Sequence, residues 1–375
     1  MKEIKFGVSI SLSGRYSIQG RESFEGLNLW VENANQSDGI LIKKKGKKLP
    51  VNLIYYDDGS SPETCKILVE RLIIKDKVDV LIGPYSSRLT LSVAPIAEKY
   101  KKILWNHGGS SDEIFKKGFR YIVSIITPAS RYLTGIIDMV RNIDKEAKKI
   151  AIFQAKDSGF SVSVAKGAGR YGREKGFQVT NFKYQSGTKD FSFLLNNMKQ
   201  NNPDIILSGG RAEDDLMLAR QIIEHKVSAK AIGLVIAGIK HFKEQLGKDA
   251  EFFLGPSQWE QGIKIKPDFG PTPEKFFKRF KDAYGKEPDY TAAQGYNIGL
   301  IIQKGIEESG TPEDISVRET IKKMEFKTFY GDFKIDPVTG NQIGHRILIV
   351  QWQSGNKFIV CPEEVAERHL IYPKP

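Results

Sequence analysis

The chain has 375 residues, of which 40% are hydrophobic, 10% aromatic and 27% charged, a composition typical of soluble globular proteins with a packed core. This composition excludes an intrinsically disordered chain, and at about 150 residues per domain the length predicts two or three domains. No segment contains the roughly 18 consecutive apolar residues of a membrane-spanning helix. The 2 cysteines are too few for a disulfide framework.

The charge balance is basic, with 57 Lys and Arg residues against 45 Asp and Glu and a formal net charge of +12. Nucleic-acid-binding surfaces usually concentrate their cations on one face, often with aromatic residues among them, whereas these cations are spread along the chain. The densest group is the run of lysines from Lys43 to Lys48. It lies between two apolar stretches and is predicted to be a solvated loop, so no nucleic-acid partner is expected.

Apolar strands and amphipathic helices alternate through the first third of the chain. The predicted strands are 4–10, 51–56, 78–82 and 103–105, separated by helices at 21–35, from residue 61 onward, and at 87–100. These strands are apolar rather than alternating, which is typical of parallel sheets covered by helices on both faces.

The same alternation begins again after Pro128. Strands are predicted at 150–153, 178–182, 204–208 and 229–234, with helices near 130–143, up to 175, 190–200 and 212–225. The region 272–323 is mostly helical, and strands at 331–335 and 346–353 close the chain. Two successive units of this kind predict an α/β protein with two doubly wound parallel-sheet lobes.

No catalytic motif occurs in the arrangement of strand and helix that it requires. A G-x-G-x-x-G sequence occurs at 167–172, but the preceding predicted strand ends near residue 153, so these glycines fall inside a helix and are expected to permit close packing. There is no P-loop and no nucleophile elbow. The histidines are isolated and lack metal-ligand spacing; His107, at a strand end, is more consistent with a structural than a catalytic role. The sequence therefore predicts no enzyme, no metal site and no cofactor.

Polar, glycine-rich turns follow three strands of the first unit, at 11–14, 83–87 and 107–111. Loops at the carboxyl ends of parallel strands converge on one crevice, which is where open α/β sheets bind ligands. Ser87 and Ser110 are each expected near a helix N-terminus, where hydroxyls and free N–H groups favour an anion such as a carboxylate. The alternative is that both serines only cap their helices.

Over nearly its whole length the sequence resembles the leucine/isoleucine/valine-binding receptors of ABC importers, which are type I periplasmic binding proteins. The motifs that carry the resemblance include Tyr56-Asp57-Asp58, the segments 80–87 and 94–100, and Phe329-Tyr330-Gly331. The resemblance implies two α/β lobes, 1–126 with 256–336 and 127–255 with 337–375, joined by three crossover segments. The ligand would be enclosed in the cleft between the lobes.

The resemblance also implies a set of ligand-binding positions in the first lobe. Ser87 and Ser110 match the hydroxyls that hold the ligand carboxylate, and Gly108 and Gly109 match positions that offer backbone groups. Tyr85 is expected to contribute an aromatic wall. The disulfide of the relatives is missing, since its two positions are both serine, at 60 and 86.

In the second lobe the matched positions depart from the relatives. Phe160 falls near a position that is often aromatic, Arg211 replaces an aromatic residue, and Val235 stands where an acid would bind the ligand ammonium. Asp157, Glu213 or Asp214 could substitute for that acid, so the ligand class stays open between amino acids and related organic acids. Trp259 and Trp105 are further candidates for aromatic walls, although core packing also accounts for Trp105.

These observations predict a solute-binding protein of an ABC importer, which captures a small carboxylate-bearing solute by lobe closure and delivers it to a membrane permease. The protein is expected to be a monomer in the periplasm or at the cell surface, with its export signal removed. The alternative is a sensor or receptor domain of the same fold, which a fused membrane or DNA-binding segment would favour. An enzyme on an α/β scaffold would need a catalytic constellation that the sequence does not offer.

Overall fold

The structure is a computed structural model in which residues 2–375 are described. The chain forms two compact units. Unit 1 contains the residues up to Thr127 together with Lys264–Arg346, and unit 2 contains Pro128–Ile263 together with Ile347–Pro375. The chain therefore passes from one unit to the other three times.

Strands and helices alternate as the sequence predicts. In chain order the strands are β1 (Ile4–Ile10), β2 (Ile40–Ile42), β3 (Lys47–Leu49), β4 (Val51–Asp57), β5 (Val80–Ile82), β6 (Leu104–Asn106), β7 (Ile122–Ser124), β8 (Lys149–Ala155), β9 (Gln178–Tyr184), β10 (Ile205–Ser208), β11 (Ala231–Leu234), β12 (Leu254–Ser257), β13 (Phe326–Thr328), β14 (Gly331–Phe333), β15 (Leu348–Gln353) and β16 (Asn356–Cys361). The helices are α1 (Ser17–Gln36), α2 (Pro62–Ile74), α3 (Ser87–Lys99), α4 (Thr134–Ile143), α5 (Gly159–Glu174), α6 (Ser192–Asn201), α7 (Ala212–Glu224), α8 (Lys240–Leu246), α9 (Pro273–Tyr284), α10 (Tyr290–Ser309) and α11 (Asp314–Ile321).

Unit 1 is built on a five-stranded sheet in the order β4-β1-β5-β6-β7, and every pair of neighbours is parallel. The α/β class and the parallel arrangement predicted from the apolar strands are confirmed here. The return segment adds α9, α10 and α11 and the small antiparallel pair β13–β14. The predicted strand at 331–335 is therefore half of a two-stranded hairpin.

Helices α1 and α10 pack against each other at glycines. A Cβ atom on Gly295 would lie 1.9 Å from the carbonyl oxygen of Ser23, and one on Gly26 would lie 1.9 Å from that of Ala292. Neither contact is sterically possible, so only residues without a side chain allow the two backbones to approach this closely. Residues of α1 in turn pack on the sheet. The ring centroids of Trp30 on α1 and Phe6 on β1 lie 5.3 Å apart.

Unit 2 is built on a seven-stranded sheet in the order β16-β15-β12-β11-β10-β8-β9. The five strands from β12 to β9 are mutually parallel, whereas β15 pairs antiparallel with both β12 and β16. The prediction of a parallel lobe therefore holds for five strands only. The last two strands form a hairpin, and a hairpin requires its strands to run in opposite directions.

The expected lobe boundaries at 256 and 336 differ from the observed ones. Unit 2 keeps the chain as far as Ile263, because β12 pairs with β11 and β15 and because Lys357 forms a 2.8 Å ion pair with Glu260. Unit 1 keeps the chain as far as Arg346, because the N–H of Ser124 donates to the carbonyl of Gly340 at 2.9 Å.

The C-terminal residues complete unit 2. The N–H of Ile371 donates to Gln351 at 2.9 Å, the hydroxyl of Tyr372 to Asp144 at 2.6 Å, and the N–H of Lys374 to the carbonyl of Lys230 at 2.8 Å. The segment predicted only as a short tail is thus bound along one side of the unit.

Two local predictions can be checked directly. The lysine run is exposed as predicted, and residues 43–46 connect the strands of a β2–β3 hairpin, although Lys47 and Lys48 belong to β3 itself. Buried Ile40, Ile42 and Leu49 anchor this hairpin. The glycines of the G-x-G-x-x-G sequence do lie inside a helix, α5, where a Cβ on Gly167 would be 2.0 Å from the Ser130 carbonyl oxygen. Across residues 2–375, no helix is both long and apolar enough to cross a membrane.

Candidate functional site

In unit 1 the loops that follow β5 and β6 are joined by one serine. Ser87 is the first residue of α3, as the sequence predicts, and its Oγ accepts hydrogen bonds from the backbone N–H of Ser110 at 3.1 Å and of Ser111 at 3.0 Å. All three serines are buried. Since a hydroxyl accepts through its lone pairs, the single O–H of Ser87 is still available to donate.

The two glycines after β6 are held against the neighbouring loop. A Cβ on Gly108 would lie 2.7 Å from the Cα of Tyr85, and one on Gly109 would lie 2.6 Å from Oγ1 of Thr90. The side chain of Asn106 bonds both polar groups of Gly109, accepting from its N–H at 2.8 Å and donating to its carbonyl at 2.6 Å. The expectation that Gly109 offers its backbone to a ligand is therefore not supported, because Asn106 already uses it.

The other predicted positions of unit 1 have different surroundings. Ser110 precedes a single 3₁₀ turn, Asp112–Ile114, rather than the helix that was expected. Burial lowers the pKa of His107 to about 4, so its imidazole is neutral at pH 7. Trp105 is 2% exposed and packs in the core beside Ile302 and Val317, which agrees with the core-packing account.

In unit 2 the carboxyl ends of β8, β10 and β11 bring three of the predicted residues to one edge of the sheet. Phe160 lies in the first turn of α5 after β8, Arg211 between β10 and α7, and Val235 directly after β11. All three are partly exposed. The Phe160 ring contacts that of Tyr132 edge to face at 5.6 Å. Trp259 follows β12 but is 1% exposed, so it belongs to the core.

Two of the three acids considered as substitutes hold the loop after β9, whereas the third, Glu213, is exposed. Asp157 accepts from the N–H of Ser186 at 2.9 Å and from its hydroxyl at 2.8 Å, and Asp214 accepts from the N–H of Gly187 at 2.7 Å. Burial acts to raise the pKa of both acids, and these hydrogen bonds with the positive charge of Arg211 act to lower it. The net pKa is lowered for Asp157 and raised for Asp214.

Asp215 is a residue of this edge that the sequence analysis missed. It is fully buried, accepts from the hydroxyl of Ser208 at 2.6 Å and from the N–H of Gly210 at 2.9 Å, and burial raises its pKa to about 7. The helical spacing of the sequence could have identified this residue. Asp215 shares a face with Leu218, Ala219 and Ile222, which are all buried, and an acid on an apolar face requires polar partners.

The described part of the chain contains no group of three or more His, Cys, Asp or Glu side chains that could hold a metal ion.

The profile of the family described as periplasmic binding protein matches residues 3–357. The chain belongs to this family.

Curated relatives and solved structures agree with this membership. This periplasmic binding protein is 24% identical to the "Leu/Ile/Val-binding protein homolog 7" of Brucella suis, over 99% of this chain and 94% of the relative. It is similar, with TM-score 0.79 and 19% identity over 99% of this chain and 100% of the other, to the branched-chain amino acid binding protein LivJ of Streptococcus pneumoniae in complex with isoleucine. It is also similar, with TM-score 0.77 and 20% identity over 95% of each chain, to a solute-binding protein of Rhodopseudomonas palustris in complex with 3,4-dihydroxybenzoic acid.

These relatives are solute-binding proteins rather than enzymes, and this periplasmic binding protein has their type I fold.

Proposed function

We propose that this protein captures a small carboxylate-bearing solute outside the cytoplasm by lobe closure and delivers it to the membrane permease of an ABC importer. The observation that carries the proposal is the position of Ser87, at the N-terminus of α3 with its oxygen bonded to two backbone N–H groups and its O–H left to donate. The protein acts as a monomer, without catalysis.

In the proposed site the carboxylate end of the solute is bound by neutral donors. The N-terminus of α3 carries partial positive charge that favours an anion, and Ser87 supplies a hydroxyl there. Gly108 has no side chain, which allows its backbone to pack against Tyr85 beside this site. Burial lowers the pKa of His107 and keeps it neutral, so this side chain adds no positive charge to the site.

The other end of the solute is proposed to face Arg211. Asp157 and Asp214 accept hydrogen bonds from the loop after β9, and Glu213 is exposed to solvent. Val235 cannot pair with an ammonium. A buried ammonium without an anionic partner costs several kcal/mol. These features favour an acid with an aromatic or second polar group over leucine, isoleucine or valine. The complex of a fold neighbour with 3,4-dihydroxybenzoic acid supports this class.

A thermal-shift panel tests the proposal with benzoate, 4-hydroxybenzoate, 3,4-dihydroxybenzoate and glutarate against leucine, isoleucine and valine. A ligand at one hundred times its dissociation constant adds about 2.7 kcal/mol of apparent stability. At least one acid of the first group is expected to raise the unfolding temperature, and the aliphatic amino acids are expected to leave it unchanged. A large shift with leucine and none with any aromatic acid or dicarboxylate would contradict the assignment.

A further inference from the structure

The loop that carries Arg211 is fixed by contacts from outside itself. This loop leaves β10 at Ser208, passes through Gly209 and Gly210, and enters α7 after Arg211. Two glycines in succession would leave such a segment with many accessible conformations. Arg211 has a defined direction only where other groups restrict the glycines.

Asp215 supplies that restriction from one turn further along α7. Its Oδ1 accepts from the Ser208 hydroxyl at 2.6 Å and from the Gly210 N–H at 2.9 Å, so one carboxylate oxygen binds both ends of the loop. A Cβ on Gly210 would lie 2.2 Å from this oxygen and 2.6 Å from the hydroxyl of Tyr184. Gly210 is therefore enclosed between two buried polar side chains.

The end of the neighbouring strand β11 also lies close to Asp215. Strands β10 and β11 are paired with Ser208 opposite Leu234, and the backbone N–H of Ile236 acts on the Asp215 carboxyl to lower its pKa. Val235 lies between Leu234 and Ile236. The carboxyl of Asp215 thus faces both segments that carry predicted ligand contacts of unit 2.

A simple role as a helix-stabilising acid does not account for Asp215. The first turn of α7 already contains Glu213 and Asp214, which satisfy the preference of a helix N-terminus for negative charge. Burying a third carboxylate costs free energy unless its oxygens receive hydrogen bonds. Those bonds come from Ser208 and Gly210, not from the amides of the helix interior.

We propose that Asp215 is a positioning residue for Arg211, because its buried carboxylate fixes the β10–α7 loop from which Arg211 extends. This inference rests on the proposed function, in which Arg211 contacts the solute. Asp215 itself is fully buried and acts only through the loop.

The first test needs no ligand. Hydrogen exchange of the backbone amides at 209–211 should become at least tenfold faster in Asp215→Ala, because the Gly210 N–H loses its acceptor. It should stay near the wild-type rate in Asp215→Asn, whose side-chain oxygen can still accept. The matched control is Asp190→Ala, which removes a carboxylate that accepts from the N–H of Ser192 at the start of α6. Unchanged exchange at 209–211 in Asp215→Ala, or the same increase in the control, would overturn the proposal.

The second test measures binding of 4-hydroxybenzoate, benzoate and glutarate by calorimetry between pH 6 and pH 8. The titratable groups that face Asp215 are Asp214 on its own helix and Tyr184 from β9, and burial raises the pKa of Tyr184 so that its hydroxyl stays neutral in this pH range. Since burial raises the pKa of Asp215 to about 7, protonation below that pH weakens its hydrogen bonds to the loop. Wild-type affinity should fall about fivefold from pH 8 to pH 6.

Asparagine is neutral at every pH, like the protonated acid, so in Asp215→Asn the affinity should lie close to the wild-type value at pH 6 and should not change with pH. Glu22→Gln controls for a second acid whose pKa burial raises to about 7, and the decrease in affinity should persist in this variant. A pH dependence that is retained in Asp215→Asn would overturn the positioning role. If the wild-type protein binds none of these acids, the proposed function fails while the exchange experiment still decides the role of Asp215.

Discussion

At the scale of single residues, Ser87 does not cap α3, which was the alternative to a ligand contact, because no side-chain hydrogen bond caps this helix. Its oxygen accepts from the backbone of Ser110 and Ser111 and so joins two loops of unit 1, and its proton is left to donate to a ligand. The link between the two loops and the proposed anion contact therefore depend on the same hydroxyl.

Replacing Ser87 by alanine should lower the affinity for the acid that binds best in the panel. The change removes a charge-assisted hydrogen bond worth about 1.5–3 kcal/mol, so the dissociation constant should increase at least about tenfold, as measured by calorimetry. Ser92→Ala is the matched control, because Ser92 lies on the same helix and donates only to the carbonyl of Leu89 within it. Normal affinity in a folded Ser87→Ala protein would leave Ser87 with a purely structural role.

Glu22 gives the stability of the protein a dependence on pH. Burial, followed by the charge of Asp289, raises the pKa of this α1 carboxyl to about 7, and the Thr291 hydroxyl donates to it. The folded state therefore binds a proton that the unfolded state has lost, so stability should fall as pH rises from about 4.5 to about 7 and then level off. Urea unfolding should show that the free energy of unfolding decreases between pH 5.5 and pH 7.5. This decrease should be smaller in Glu22→Gln than in wild type by about 1 kcal/mol or more.

The control for this measurement is Glu325→Gln. Glu325 is exposed and pairs with Lys334 at 2.7 Å, so its replacement should leave the pH dependence as in wild type. An identical decrease in wild type and Glu22→Gln would show that Glu22 titrates in its ordinary range.

The residues of the candidate site differ in how well the sequence identifies them. Ser87 was predictable because it follows a strand and begins a helix, both of which are local patterns. The occupation of the Gly109 backbone by Asn106 was not, since it depends on where a side chain points after the strand ends. Asp215 was accessible in principle from its place on the apolar face of α7.

At the scale of helices and strands, the contact between α1 and α10 makes a specific demand on sequence. Replacing Gly295 by alanine would place a Cβ 1.9 Å from a backbone oxygen of α1, so one helix must move. Overpacking of this kind costs about 1–3 kcal/mol, and this loss of the free energy of unfolding should appear in urea titrations.

Gly169 on α5 provides the control, because the atom nearest to its Cβ position is 3.5 Å away. Gly169→Ala should be neutral or stabilising by about 0.5–1 kcal/mol, since alanine loses less entropy in a helix than glycine. Equal losses in both variants would indicate that helix contact at Gly295 is not the cause.

Four of the strands that the sequence missed are short. The strands β2, β3, β7 and β13 have only 3 residues each, too few to establish a periodic pattern. Strand β12 falls at the lobe boundary expected between 255 and 256, and it contains Gly255 and Pro256, which usually interrupt strands. Its position is decided by pairing with β11 and β15, and that information is not local.

At the scale of the whole molecule, the proposed lobe closure has a direct signature. A ligand stabilises a closed form only through its greater affinity for that form. The radius of gyration from small-angle X-ray scattering should therefore decrease when the best acid of the panel is added at saturation. Leucine at the same concentration is the control and should leave the curve unchanged. A constant radius with a ligand that binds by calorimetry would argue against closure.

The three passages of the chain between the units also order events during synthesis. Unit 1 is incomplete until Arg346 has been made, and unit 2 until its last strands and the C-terminal residues follow. Contacts this distant along the sequence close slowly, because the entropy of long loops must be overcome first. A nascent chain that does not yet include the residues around Arg346 therefore has neither unit complete.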